Sequence, residues 1–122
     1  MELEDEVERV ERQFITAGKQ FTALDVGNEL KRRGINVRQR QVSPIVRQHY
    51  NETGIYEDAD YIRQMIPVKN GECQAFLYSH VFDDPDRYTN RDQDPLPYVP
   101  KDNIDDIGSV LLVYFTTGRN MN

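Results

Sequence analysis

The chain has 122 residues, 38% of them hydrophobic, with 21 acidic against 15 basic side chains and a formal net charge of −6. That is enough apolar material for one domain with a modest core, and no apolar run approaches the roughly 20 residues needed to cross a bilayer. The acidic start, MELEDEVERVE, lacks the apolar stretch of a secretory signal, and the lone Cys73 rules out an intramolecular disulfide, so a reducing, cytoplasmic setting is expected.

In the first segment Leu3, Val7, Val10 and Phe14 recur at intervals of four, three and four, which predicts a helix over residues 3–17 with acids at its positive end and Gly18 as its stop. The stripe suits packing on neighbouring helices, and its near-heptad spacing equally suits a two-chain seam. A second helix opens at Thr22, with Asp25 placed to complete a capping box and Phe21 and Val26 placed as a hydrophobic staple. Ala23, Val26, Gly27 and Leu30 form its apolar stripe, Gly27 leaving room for a neighbouring backbone, and Lys31, Arg32 and Arg33 precede a glycine stop at Gly34. A third helical pattern spans residues 37–50. Val42, Ile45, Val46 and His49 share one side and Arg40, Ser43 and Arg47 lie roughly opposite. Pro44 leaves two starts open: Ser43 as N-cap with Pro44 at the first position, or a kinked first turn from Gln39.

Residues 51–54 (NETG) read as a turn. Residues 61–80 form a hairpin pattern about Asn70-Gly71, a pair suited to a type I′ turn, with Val68 opposite Cys73, Ile66 opposite Ala75 and Met65 opposite Phe76. Both faces of that hairpin are largely apolar, so something must cover the second one, and Cys73 is expected to be an inert core residue. Residues 83–106 hold eleven charged side chains and four prolines and predict an extended acidic connection, although Tyr88, Leu96, Tyr98 and Val99 suggest that it lies against the body. The β-branched run at 109–117 predicts a buried strand, joining the hairpin's sheet or pairing with a second copy. The organisation is thus a domain over 1–82, an acidic segment over 83–106 and a terminal strand within 107–122.

Charge is distributed unevenly along this plan. Residues 18–50 carry +5, whereas 1–17, 51–80 and 81–106 carry −4, −3 and −5. Positive potential gathered on the two middle helices suits phosphate contact, and the acidic flanks reduce non-specific affinity.

Three helices and a hairpin, with the second and third helices joined by Gly34-Ile35-Asn36-Val37, resemble the winged helix-turn-helix superfamily over about residues 3–80, which implies an α+β fold and DNA binding. The resemblance places the 38–50 helix in the major groove, with Arg38, Gln39, Arg40, Ser43, Arg47 and Gln48 toward bases or phosphates. It puts Lys31, Arg32 and Arg33 on the backbone, and Lys69 and Asn70 at the wing tip. The sequence departs from the pattern at Arg38, where a short polar cap is usual, at Pro44, and in a wing whose single cation sits beside Glu72.

The expectation is a small regulator or accessory factor that binds double-stranded DNA as a homodimer, through the first helix's stripe or the 109–117 strand. A protein-interaction module using the acidic surface or the apolar hairpin face is the alternative, and mimicry of DNA a third. No cofactor, metal site or catalysis is expected. The glycine loops, nucleophile elbow and HExxH motif are missing, and His49, His80 and Cys73 lack zinc-module spacing. Asp83, Asp84 and Asp86 lack the glycine and terminal glutamate of a calcium loop.

Overall fold

A computed structural model of the chain describes residues 2–97; the strand expected over 109–117 and the remainder of the 83–106 segment lie outside them. Four helices, α1 (Leu3–Thr16), α2 (Ala23–Arg32), α3 (Gln39–Glu52) and the single turn α4 (Ile55–Asp58), precede an antiparallel hairpin of β1 (Tyr61–Val68) and β2 (Cys73–His80). The fold is α+β, and its order is compatible with winged-helix topology. No helix among the described residues is long and apolar enough to cross a membrane.

The capping box forms as the spacing requires: Thr22 N–H donates to Asp25 Oδ2 at 2.9 Å, and Asp25 N–H donates to the Thr22 hydroxyl at 3.4 Å. Gly27 serves a different neighbour from the backbone that was expected. A Cβ there would lie 2.3 Å from Gln39 Oε1, so its bareness accommodates a side chain at the start of α3. Of the two starts open to α3, the helix takes the earlier, beginning at Gln39 with Pro44 inside it. Pro44 is exposed, so the Arg40 carbonyl that loses its helical N–H partner lies on the wet side of the helix. Residues 51–54 extend α3 and then turn at Gly54 (φ 76°) into α4, which the sequence reading took only as a turn.

Val7, Val10 and Phe14 of α1 are buried against Val26, Leu30, Val42 and Val46, so that stripe is spent inside the chain rather than on a partner helix. Phe21 occupies the centre. Its backbone exchanges two hydrogen bonds with Tyr78 of β2, at 3.0 and 2.8 Å, and its ring lies 5.2 to 6.2 Å from those of Phe14, Tyr56, Tyr61 and Tyr78.

The hairpin register agrees with the sequence pairing throughout, from Tyr61 opposite His80 to Val68 opposite Cys73. Its turn includes Asn70 and Gly71 at φ 57° and 88°, but the left-handed run begins one residue earlier, at Lys69 (φ 56°). Tyr61, Phe76 and Tyr78 face the helices, while Ile66 and Leu77 on the other face are covered by Tyr88 from the acidic segment. Cys73 is exposed, contrary to expectation. It sits where β2 leaves the turn.

One polar group lies inside the core. Glu11 is fully buried, with Oε1 2.5 Å from His49 Nδ1 and Oε2 accepting from the Tyr56 hydroxyl, so a single carboxylate joins α1, α3 and α4. Burial pushes Glu11 above its ordinary value against the pull of both partners, and the hydrogen bond to Glu11 holds His49 above its own. Removing the carboxylate would strand two polar groups, so Glu11→Ala should cost about 3–5 kcal/mol in urea unfolding.

Both groups bind their proton more tightly folded than unfolded. The His49 contribution is therefore complete below its ordinary 6.5 and is lost as pH rises through its raised folded value, and Glu11 acts in the same sense from 4.5 upward. Melting temperature should fall from pH 6.5 to about pH 8.5; a curve that holds or climbs there contradicts the assignment.

Candidate nucleic-acid interface

The side of α3 turned away from the core is set by its own period. Val42, Val46 and His49 are buried, which leaves Arg40, Gln41, Pro44, Arg47, Gln48 and Asn51 exposed in adjoining rows. Residues 39–51 contain no Asp or Glu in a chain that has 21. Among the described residues no carboxylate pairs with Arg40 or Arg47. Arg38 is exposed at the N-cap, where the Gln41 side chain accepts from its N–H at 2.8 Å.

Gln39 and Ser43 lie one row inward. Gln39 Nε2 donates to Ser43 Oγ at 3.1 Å, and both line a groove of about 460 Å³ whose opposite wall includes Met65, Phe76 and Tyr78. The Gln39 Oε1 atom, wedged against Gly27, is buried without a hydrogen-bond partner. Gln48 faces solvent and donates to Glu52 at 3.4 Å.

The remaining sequence candidates are engaged elsewhere. Arg32 and Arg33 pair with Glu29 of their own helix at 3.3 and 2.9 Å, and Arg33 also donates to Gln13. The Lys31 ammonium donates to the Leu96 carbonyl, and burial lowers its pKa. At the hairpin tip Lys69 donates to the Gln93 carbonyl at 2.8 Å and pairs with Asp94, while Asn70 N–H donates to Asp92 Oδ1 at 2.7 Å. Over residues 83–97 the acidic segment therefore reaches the wing tip and occupies Lys31, Lys69 and the Asn70 N–H, three of the groups that the resemblance offered to phosphates.

What seats the segment is the start of α2. The Tyr88 hydroxyl and the Gln93 amide each donate to Asp25, at 2.6 Å, so the carboxylate that completes the capping box also holds the strap. Asn28 extends the contact, donating to Gln93 at 3.1 Å and accepting from Leu96 N–H at 2.9 Å. A 3₁₀ turn at Pro85–Arg87 and the Arg91 guanidinium, which donates to the Pro85 carbonyl at 2.7 Å, shape the approach. The apolar interruptions at Tyr88 and Leu96 carried a signal for this docking. Asp25 carried none, because a capping role already accounted for it.

Arg63 is the cation that sequence reasoning passed over. Its Cζ lies 4.7 Å from the Tyr50 ring centroid and 4.4 Å from that of Phe76. The period-two pattern that put Tyr61 and Met65 on one face also put Arg63 there, but nothing local showed which helix that face meets. Among the described residues no three His, Cys, Asp or Glu side chains gather where a metal ion could sit.

If Tyr88 is the anchor of the strap, Tyr88→Ala should lower stability by about 3–5 kcal/mol. It should also expose the bonds after Arg87 and Arg91 to trypsin while the helical core stays resistant. Unchanged cleavage would show that the strap is held without Tyr88.

Comparison of the chain with family models, with curated proteins and with solved structures returns no match in any of the three.

Proposed function

We propose that the chain is a winged helix-turn-helix module that binds double-stranded DNA through the outward face of α3, acting as a transcriptional regulator or accessory factor in the cytoplasm. One observation carries this reading: an exposed helix face that presents two arginines, without carboxylate partners among the described residues, between glutamine and asparagine amides, on a chain of net charge −6. Guanidinium forks suit phosphate oxygens and guanine edges, and amides suit adenine. Helix order, the hairpin and the Phe21–Tyr78 bridge support the family reading. With Lys31 and Lys69 already held, the contact is narrower than the sequence suggested and centres on Arg40 and Arg47. A second copy would supply the interface that a lone small module lacks.

A docking module for another protein is the second reading, favoured by Phe82, which is 88% exposed at the end of β2 beside the exposed Val81. It predicts no salt-dependent duplex binding, and loss of partner capture when Asp83, Asp84 and Asp86 are neutralised.

The deciding measurement is duplex binding by anisotropy across a salt series, on protein whose oligomeric state is measured in the same buffer. Arg40→Ala and Arg47→Ala should each weaken binding and flatten the slope of log affinity against log salt by about 0.9. Wild-type protein without salt-dependent binding, or variants with the wild-type slope, would rule out the α3 surface.

A further inference from the structure

We infer that Arg47 and Arg63 form a phosphate site beside the Tyr78 hydroxyl, where the groove between α3 and the hairpin would take a backbone phosphate of the bound duplex; this rests on the duplex-binding reading above. Arg63 stands on β1 directly opposite Tyr78. Its Cζ lies over the Tyr50 ring of α3 and over the Phe76 ring of β2, so the guanidinium bridges the helix and the hairpin. Arg47 lies one helical turn before Tyr50 and lines the groove between α3 and the hairpin with Tyr78 and with Phe76, the ring that Arg63 also covers. Burial pushes the Tyr78 hydroxyl above its ordinary pKa, against the pull of both guanidiniums, Arg63 by a hydrogen bond and Arg47 through space.

What singles the pair out is charge. Arg63 is half-buried, and among the described residues neither it nor Arg47 has a carboxylate partner. Most acids of this chain are at α1, α4 and the strap, and the described ones leave this corner unneutralised. Two guanidiniums that act on one hydroxyl repel each other, more strongly where water is partly excluded. A phosphate between them removes the repulsion and accepts hydrogen bonds from both forks. The aromatic contacts supply the stiffness that a lysine at position 63 would lack. A purely mechanical role, fastening the hairpin to α3 by cation–π contact, would not need Arg47 alongside.

The test compares Arg63→Gln and Arg63→Lys with Arg40→Ala in the duplex salt series. Arg63→Gln should lower affinity by roughly tenfold at low salt and flatten the slope by about 0.9. Arg63→Lys should keep the slope and lose part of the affinity. A second arm titrates wild-type protein with inorganic phosphate and follows the arginine Nε–H resonances, expecting shifts at Arg47 and Arg63 and not at Arg12. An Arg63→Gln protein that melts lower yet binds with wild-type affinity and slope overturns the site, as does a phosphate titration that moves neither resonance. If duplex binding is missing but phosphate shifts Arg47 and Arg63 together, the duplex reading falls and the anion site stands.

Discussion

The helices and the hairpin are joined at Phe21, which is a ladder partner by its backbone and a core residue by its ring. Its two hydrogen bonds to Tyr78 attach the segment before α2 to β2, and its ring lies against Phe14, Tyr56, Tyr61 and Tyr78. Few residues can satisfy both demands. An aromatic side chain brings enough area to serve four neighbours at once, and an extended backbone is available only because α1 has ended at Thr16 and α2 has not begun. The angle between α3 and the hairpin, and hence the groove between them, depends on this junction.

A second constraint comes from polar groups that have left water. Glu11 links three helices from inside the core, and Asp25 caps α2 while receiving Tyr88 and Gln93. In both cases one carboxylate is held by neutral or histidine donors from distant parts of the chain. Such contacts specify arrangement more than they add stability, because desolvation offsets much of the attraction. Asp25 in particular turns an acidic, proline-containing stretch into an ordered strap.

The strap changes the electrostatics of the molecule. By engaging Lys31, Lys69 and the Asn70 amide it removes the wing tip and the end of α2 from the basic surface. Glu29 does the same for Arg32 and Arg33. The positive potential of residues 18–50 is therefore concentrated on α3, and Arg63 of β1 adds to it from the hairpin. A charge count by segment overstates the area available to phosphates, since a cation already paired within its own chain contributes little field beyond it.

Local rules determined a good deal of this protein. Side-chain period placed α1, α2 and the hairpin, the Thr22–Asp25 spacing specified its cap, and the alternation about Asn70-Gly71 fixed a register that holds along both strands. These features depend on neighbours a few residues apart, which a sequence displays directly. The tertiary structure decided what depends on separations of 13 to 68 residues, among them the buried polar group at Glu11, the seat of the strap on Asp25 and the aromatic contacts of Arg63, and with them the exposure of Cys73. It also decided which cations are committed, because ion pairing follows distance in space, and sequence position constrains that distance only within a helical turn or across a hairpin.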